Sequence, residues 1–424
     1  MFFGRKEELA SMQKRYDKGR FECVVIYGRR RVGKTSLITE FCKDKKTIYF
    51  SAIRGTAKEN LDELSKQIHE YKENVRNNSP VYKSFADAFD EITALAEKDR
   101  LVFVIDEYPY LADADRSVSS RLQHIIDHKW VNGNLYMILC GSSLSFMENQ
   151  VLSYESLLYG RRTAQYKIHG MSYREIAVFN PDMCPEDQAL IYGITGGIPH
   201  YINKLDIETS LDDALIDNLF DPSAYLFEEP ENLLKQELRE PAVYNSIISA
   251  IASGAFKANE IATKVGLESG ACNKYLKVLL DLEIARKETP VNEKRGKKSM
   301  YLIEDNFFRF WYRFVLKNIS AVNSGKIRQI YERGIKKYFS DYMGLIFEKM
   351  CKEYMILYDT ESEFVLKDIG QWWGTDNRKR KGIQIDIVGS SVEGREFSKD
   401  CWRGKHHVWL MNGSQHNYFK PETV

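Results

Sequence analysis

The chain has 424 residues, of which 43% are hydrophobic, and its 61 Lys and Arg nearly balance its 60 Asp and Glu. At about 100 to 200 residues per domain, this length predicts two to four domains and excludes a single small module. The apolar content is sufficient for a sizeable core and excludes an intrinsically disordered chain. Because the formal net charge is only +1, binding to nucleic acid would require a local basic patch.

The seven cysteines are scattered singly, without a Cys-x-x-Cys pair. This pattern argues against a disulfide framework and against a structural zinc site, and it favours a reducing compartment. The N-terminal segment MFFGRKEELA has charged residues within its first six positions and no apolar signal-peptide core. No window approaches the roughly 18 apolar residues that a membrane span requires. We therefore expect a cytoplasmic protein without a membrane partner.

The first chemical signal along the chain is a phosphate loop. An apolar run at Cys23–Tyr27 predicts a buried strand, and helical periodicity begins after the loop. Between them, GRRRVGKT (28–35) fits the pattern G-x-x-x-x-G-K-[ST], in which backbone amides and the lysine bind phosphate and the hydroxyl serves magnesium. The motif predicts ATP and Mg²⁺ as cofactors. We assign the phosphate contacts to Gly28, Arg29, Arg30, Arg31, Val32, Gly33, Lys34, Thr35 and Ser36.

Polar residues end the next two apolar runs. Leu101–Ile105 is followed by two acids, and Leu135–Leu139 is followed by CGSS (140–143). Buried strands separated by helical stretches indicate a parallel sheet covered on both faces, whose ligands bind at the carboxyl ends of the strands. We therefore predict an α/β fold in which these polar residues converge on the phosphate loop.

Roles follow from the chemistry of the side chains. Asp106, with Thr35, is predicted to hold Mg²⁺, and Glu107 to orient and deprotonate the attacking water. Ser142 or Ser143 is predicted to contact the terminal phosphate or that water, the alternative being a simple turn.

Six segments carry a resemblance in the same order: FFGRKEEL, YGRRRVGKTSL, VFVIDEYPYL, LCGSSLSFM, YGRRT and TGGIPHYI. Together they resemble the prokaryotic AAA+ ATPases of the archaeal ATPase family, which are relatives of the STAND signalling NTPases. The likeness covers Met1 to Tyr201.

The resemblance implies further roles. Phe3–Glu7, with Gly4 and Arg5, would lie on the adenine side of the nucleotide, and Pro199 would lie near the base and ribose. Arg161 or Arg162 would stabilise charge at the cleaved phosphate, either within the chain or from a neighbouring subunit of a homo-oligomer. The strand before Ser142 would lie between the strand before Gly28 and the strand before Asp106.

Four domains are predicted. An ATPase core (1–170) precedes a helical lid (171–238) that is punctuated by prolines. Residues 239–304 show three helices and a two-stranded ribbon, the outline of a winged helix-turn-helix. Its second helix would expose Lys274 and Lys277, and its hairpin carries four cations at 294–298. This region would bind double-stranded DNA or would serve only for intramolecular packing.

The last domain (305–424) begins with DNFFRFWYRFV, which resembles a domain of unknown function similar to PD-(D/E)xK nucleases. Glu348 and Asp386 would be its metal-binding acids. The third element departs from that pattern, because Glu396 and Lys399 are three residues apart. The tail after Trp402 shows neither helical nor strand periodicity. We therefore expect a degenerate or incomplete nuclease-like domain.

Three functions are weighed. The first is a switch ATPase that couples nucleotide state to the winged helix and the C-terminal domain. The others are a DNA-binding regulator controlled by ATP and a metal-dependent DNA nuclease gated by ATP.

Overall fold

The computed structural model describes residues 2, 4–73, 80–179, 181–207, 210–290, 299–358, 365–376, 381–391, 396–400 and 407–411. The chain forms two compact units. The first comprises Met1–Met171 together with Ile198–His200, and the second comprises Ser172–Gly197 and Tyr201–Val424. Within the described residues, no helix has both the length and the apolar character needed to cross a bilayer.

The first unit is an α/β layer structure. Its helices are α1 (Lys6–Tyr16), α2 (Lys34–Cys42), α3 (Ala57–Glu73), α4 (Phe85–Lys98), α5 (Tyr108–Ala114), α6 (Val118–Ile125) and α7 (Leu144–Phe146), with π-helical segments at Ile126–Trp130 and Met147–Leu152. Its strands are β1 (Glu22–Tyr27), β2 (Thr47–Ser51), β3 (Val102–Asp106), β4 (Tyr136–Gly141) and β5 (Ala164–Lys167).

These strands form one parallel sheet in the order β2-β3-β4-β1-β5 within the described residues. The predicted α/β fold with a parallel sheet is confirmed. Strand β4 lies between β1 and β3, as the family resemblance implied.

Both faces of the sheet are buried. Cys23 and Val25 of β1 pack into the core on one face, whereas Val24 and Ile26 pack into the core on the other. Successive side chains of a strand point to opposite faces, so a continuous apolar run is what a doubly covered strand requires. The carboxyl ends of β1, β3 and β4 consequently lie side by side and present the residues that follow them at one edge.

The second unit begins with helices. They are α8 (Tyr173–Phe179), α9 (Pro185–Thr195), α10 (Pro199–Leu205), α11 (Leu211–Leu219), α12 (Glu229–Glu237), α13 (Pro241–Ala252), α14 (Ala258–Val265), α15 (Ser269–Asp281), α16 (Asn306–Phe310), α17 (Ile319–Asn323), α18 (Ile327–Ile330) and α19 (Phe339–Leu357). π-helical turns lie at Trp311–Val315 and Tyr331–Ile335, and 3₁₀ turns at Leu316–Asn318 and Lys336–Tyr338. The first two residues of α10 belong to the first unit.

Two small sheets complete the second unit. Strands β6 (Ala285–Glu288) and β7 (Met300–Ile303) form an antiparallel ribbon after α13, α14 and α15, which is the element order that the sequence predicts for 239–304. Near the C-terminus, the antiparallel strands β8 (Leu366–Asp376), β9 (Lys381–Ser391), β10 (Glu396–Asp400) and β11 (His407–Met411) follow α19.

Strand β11 corrects one expectation. The sequence after Trp402 shows no strand period, yet His407–Met411 pairs with Glu396–Asp400. Antiparallel pairing requires only main-chain donors and acceptors, so a strand of five residues can form without side-chain alternation.

A cluster of charges joins the ribbon to α19. Glu304, which follows β7, accepts hydrogen bonds from Arg286 of β6 at 2.8 Å and from Lys349 of α19 at 2.6 Å. Burial alone would raise the pKa of Glu304, but the two cations outweigh it and hold the pKa at about 2. The base of the ribbon is therefore fixed to the C-terminal helix by ionised groups.

Candidate functional site at the carboxyl edge of the parallel sheet

The phosphate loop has a backbone that only particular residues tolerate. Gly28 has φ 153°, and a Cβ at this position would lie 2.3 Å from the carbonyl oxygen of Ile168. Gly33 has φ 90° at the start of α2, and Arg31 has φ 72°. A positive φ strains a residue with a side chain, and such strain is concentrated at ligand-binding loops. The two glycines of the motif are thus required by geometry.

Lys34 is buried at the centre of this loop, with 6% of its surface exposed. Its Nζ donates to the carbonyl oxygens of Gly28 and Arg29, each at 2.8 Å. Burial lowers the pKa of Lys34, and the negative charges of Glu107 and Asp106 oppose that shift. A buried ammonium with only carbonyl acceptors gains from an anion placed beside it, which is what a bound phosphate would supply.

Asp106 ends β3 as a buried carboxylate. One carboxylate oxygen accepts from the Thr35 hydroxyl at 3.1 Å and from the Tyr49 hydroxyl at 2.6 Å, and the other accepts from the amide of Glu107 at 2.9 Å. Mg²⁺ prefers oxygen ligands such as carboxylates and hydroxyls, so the side chains of Thr35 and Asp106 are suitable ligands for the predicted ion. Tyr49 belongs to no motif that predicts a functional residue, although the alternation in TIYFS (47–51) indicates a strand.

Glu107 accepts hydrogen bonds from Ser142, the residue that follows β4. Glu107 has φ 50°, an uncommon value for a residue with a side chain. One of its carboxylate oxygens accepts from the hydroxyl of Ser142 at 2.8 Å and from the Ser142 amide at 3.3 Å. Ser142 therefore contacts the predicted base directly, while contact with phosphate or water stays a prediction. Ser143 is half-buried and precedes α7.

Arg5 and Pro199 also lie against the phosphate loop. Arg5 is buried, and its guanidinium donates to the carbonyl oxygens of Val32, at 3.3 Å, and His169. A Cβ on Gly33 would lie 3.7 Å from Cγ of Pro199. These neighbours agree with a place beside the nucleotide, and their contact with its base stays a prediction. Gly4 has φ 71°, and Phe3 lies outside the described residues.

Arg161 and Arg162 are not brought to this site. The amide of the next residue, Thr163, bonds to the carbonyl of Cys23 near the start of β1, whereas the phosphate loop follows the other end of that strand. Arg161 forms a bidentate pair with Asp127 at 2.6 and 2.8 Å. Arg162 donates to the carbonyl of Leu152 at 2.6 Å.

The five residues Cys23–Tyr27 of β1 span about 16 Å, so Arg161 and Arg162 lie far from the phosphate loop of their own chain in this structure. Their action from a neighbouring subunit stays a prediction.

The two acids predicted for the C-terminal domain are brought near each other. Glu348 of α19 is 8% exposed and accepts a hydrogen bond from the amide of Gln371 in β8. Asp386 of β9 is half-buried. Burial, and then the charge of Asp386, raise the pKa of Glu348 to about 7.

Of the third element predicted for a nuclease site, the structure describes only the backbone of β10 (Glu396–Asp400). In the described strand β10, Lys399 pairs with Ile387. No cluster of three His, Cys, Asp or Glu among the described residues could hold a metal ion.

The predicted DNA-binding surface is described only in part. Lys274 and Lys277 are exposed on α15, while Cys272, Leu276 and Leu279 of the same helix are buried. The hairpin cations Lys294, Arg295, Lys297 and Lys298 lie outside the described residues.

Comparisons with known proteins agree with this architecture. A family model described as "ATPase domain predominantly from Archaea" matches residues 2–205, and one described as "Archaea bacterial proteins of unknown function" matches 311–399. An uncharacterized protein of Methanocaldococcus jannaschii is 33% identical over 391 residues, covering 92% of this chain and 84% of that relative.

Two solved structures share the fold. The Walker-type ATPase PABY2304 of Pyrococcus abyssi is 20% identical, with a TM-score of 0.58 over 74% of this chain and 96% of that chain. The Aeropyrum pernix ORC2 protein, solved in ADPNP-ADP complexes, is 15% identical, with a TM-score of 0.50 over 76% of this chain and 95% of that chain.

Proposed function

Because the chain belongs to the archaeal ATPase family, we propose that it binds ATP with Mg²⁺, hydrolyses it slowly and acts as a nucleotide-dependent switch. One observation carries the proposal. Lys34, Thr35, Asp106, Glu107 and Ser142 converge at the carboxyl ends of three neighbouring strands. The bound complex of the ORC2 protein makes ATP the preferred nucleotide to test.

Each side chain has a distinct task in this proposal. Lys34 exchanges its two carbonyl acceptors for phosphate oxygens. Thr35 and Asp106 would hold Mg²⁺, which when bound neutralises charge on the phosphates. Glu107 takes a proton from water as the water oxygen bonds to the terminal phosphorus and the bond between that phosphorus and the ADP oxygen breaks.

The state of Glu107 supplies the switch. In this structure the Glu107 carboxylate accepts hydrogen bonds from the Ser142 hydroxyl and the Ser142 amide. Both bonds fall on one carboxylate oxygen and fix the orientation of the group, so a change of this orientation on nucleotide binding would change its access to water. We infer that nucleotide binding releases this carboxylate, and that ADP allows it to return.

The test compares the unmodified chain with two variants. Glu107→Gln should lower kcat by about 10² to 10⁴-fold, the contribution of a general base, while ATP affinity by calorimetry stays within about threefold. Lys34→Ala should remove measurable ATP binding, because the loop then lacks its cation.

The matched control is Glu97→Gln, which changes an exposed glutamate of α4 and should leave both quantities unchanged. Absence of nucleotide binding by the folded, unmodified chain would overturn the proposal. Equal turnover by Glu107→Gln and the unmodified chain would remove Glu107 from its role.

A second candidate function rests on α15. Lys274 and Lys277 are exposed beside each other on one helix face, as phosphate contacts require. This favours a DNA-binding regulator in which the second unit, with its predicted winged helix, reports nucleotide state. Nuclease activity has weaker support, because Glu348 and Asp386 are the only expected residues that come together in the part of the chain whose side chains are described.

A further inference from the structure

A third arginine, Arg54, lies at the same edge of the sheet as the phosphate loop. It follows β2, whose last residue, Ser51, pairs with Asp106, and the amide of Ala52 bonds to the carbonyl of Asp106 at 2.9 Å. Arg54 is exposed, and within the described residues it has no acidic partner. Its guanidinium lies over the ring of Tyr110, 5.5 Å from the centroid.

The side chain of a buried asparagine fixes the turn that carries Arg54. The side chain of Asn60, which is fully buried, accepts from the amide of Ile53 at 2.9 Å and donates to the Ile53 carbonyl at 3.1 Å. The same carbonyl accepts from the amide of Gly55 at 2.9 Å. Both neighbours of Arg54 are thus held in place, so the arginine is presented by a preorganised turn.

Tyr110 links Arg54 to the phosphate loop and to Glu107. Its hydroxyl accepts from the guanidinium of Arg30 in the phosphate loop at 2.6 Å. Its amide bonds to the carbonyl of Glu107 at 2.9 Å, so it lies in the first helical turn after the predicted base. Arg54 is therefore placed beside both the phosphate loop and helix α5, which follows Glu107.

On the premise of the proposed ATPase function, we propose that Arg54 contacts the terminal phosphate of ATP from within the same chain. Charge on that group shifts during transfer, and a guanidinium aimed at its oxygens stabilises the transition state more than the ground state. Among the described residues, no acid pairs with Arg54, so its guanidinium can reach phosphate without breaking an ion pair, and Tyr110 and Asn60 restrict its conformations. Within the chain, Arg54 would stabilise the charge at the cleaved phosphate, which Arg161 and Arg162 are too far away to do.

The first test separates transition-state contact from binding. Arg54→Ala should lower kcat by about 10²-fold and leave affinity for ADP unchanged within about twofold. Its affinity for ADP with aluminium fluoride, which mimics the transferring phosphoryl group, should fall by a similar 10²-fold. Arg54→Lys should recover only part of the loss, because an ammonium lacks the planar fork of donors.

The control is Arg116→Ala, which removes an exposed arginine beyond the end of α5 and should behave as the unmodified chain. Equal losses of affinity for ADP and for ADP with aluminium fluoride would overturn the inference, as would unchanged affinity for both. If the unmodified chain binds ADP without any turnover, the proposed hydrolysis fails, and the aluminium fluoride comparison still decides the role of Arg54.

The second test decides between one chain and two. Arg54→Ala protein and Lys34→Ala protein are mixed in equal amounts and ATP turnover is measured. An arginine that acts within its own chain cannot rescue a partner, so the mixture should show no more activity than the sum of the two. Restored turnover on mixing would show that Arg54 acts on a neighbouring subunit and would overturn the inference.

Discussion

At the scale of single residues, the site holds backbone conformations that few side chains accept. Gly28, Arg31, Gly33 and Glu107 all have positive φ, and all lie at the carboxyl edge of the sheet. Such conformations cost about 1 to 3 kcal/mol each for residues with a side chain and persist where the surroundings fix them. Their clustering around Lys34 indicates that the site is preorganised for an anion before one binds.

Gly28→Ala should destabilise the chain by about 3 kcal/mol or more, because its Cβ would meet the carbonyl oxygen of Ile168 at 2.3 Å and a backbone contact cannot yield cheaply. Thermal unfolding of the intact chain measures the change. Gly270→Ala is the matched control, because that Cβ would meet nothing within 4 Å and should stabilise α15 by about 0.5 to 1 kcal/mol. A Gly28→Ala protein that unfolds at the unmodified temperature would contradict this account.

The residues that could be predicted from the sequence are those whose chemistry is set by local spacing. Lys34 and Thr35 follow from the loop motif, and Asp106 and Glu107 follow from the end of an apolar run. Arg54 and Tyr110 could not be predicted, because neither belongs to a motif and their contact joins residues 56 positions apart. The same limit explains the misplaced Arg161, whose partner Asp127 is chosen by tertiary packing.

At the scale of elements, strands were predictable where both faces are buried. β1, β3 and β4 are continuous apolar runs and were found within a residue or two. β5, with the sequence AQYK, lies at the edge of the sheet and is only half-buried, so little in its composition marks it. β11 contains the short apolar run VWLM (408–411) and, like β5, lies at the edge of its sheet. Edge strands owe their place to main-chain pairing, which the side-chain pattern does not encode.

The contact of α19 with β8 predicts a pH dependence. The pKa of Glu348 is raised from an ordinary 4.5 to about 7, so the folded state favours the protonated carboxyl. That contribution to stability is complete below pH 4.5 and is lost as the pH rises through 7. Glu348→Gln, which keeps an acceptor for Gln371 without a charge, should therefore be more stable than the unmodified chain at pH 8, by about 2 kcal/mol.

At pH 4 the two proteins should unfold alike. Urea denaturation at both pH values measures the difference, and Glu332→Gln, an exposed position in the same unit, is the control. A stability gain of equal size at pH 4 and pH 8 would show that ionisation of Glu348 is not the cause.

At the scale of the whole molecule, the chain joins an ATPase unit to a second unit built from helices and two small sheets. Its global charge is near zero, so the proposed binding to DNA would require a local basic surface. Within the described residues, the exposed lysines of α15 are the part of that surface that can be tested. The ribbon that follows α15 is bonded to α19 through Glu304, which accepts from both Arg286 and Lys349.

Replacing both Lys274 and Lys277 with Ala should weaken binding to duplex DNA about tenfold or more near 0.1 M salt. It should also reduce the slope of log affinity against log salt by roughly 1.8, since each phosphate contact contributes about 0.9. Fluorescence anisotropy over a range of salt, with ATP and with ADP, measures both. Lys14→Ala with Lys18→Ala removes two exposed lysines of the first unit and is the control. Identical slopes for the two double variants would exclude α15 as the contact.

The order of strands in the parallel sheet has a consequence for biosynthesis. β1 pairs with β4, whose residues leave the ribosome more than 110 positions later. At about 5 to 20 residues per second, the newly made phosphate loop waits several seconds with both edges of its strand unpaired. Nascent chains of this protein should therefore depend on chaperones until Gly141 has emerged, and refolding from denaturant should be slow because closure spans so long a segment.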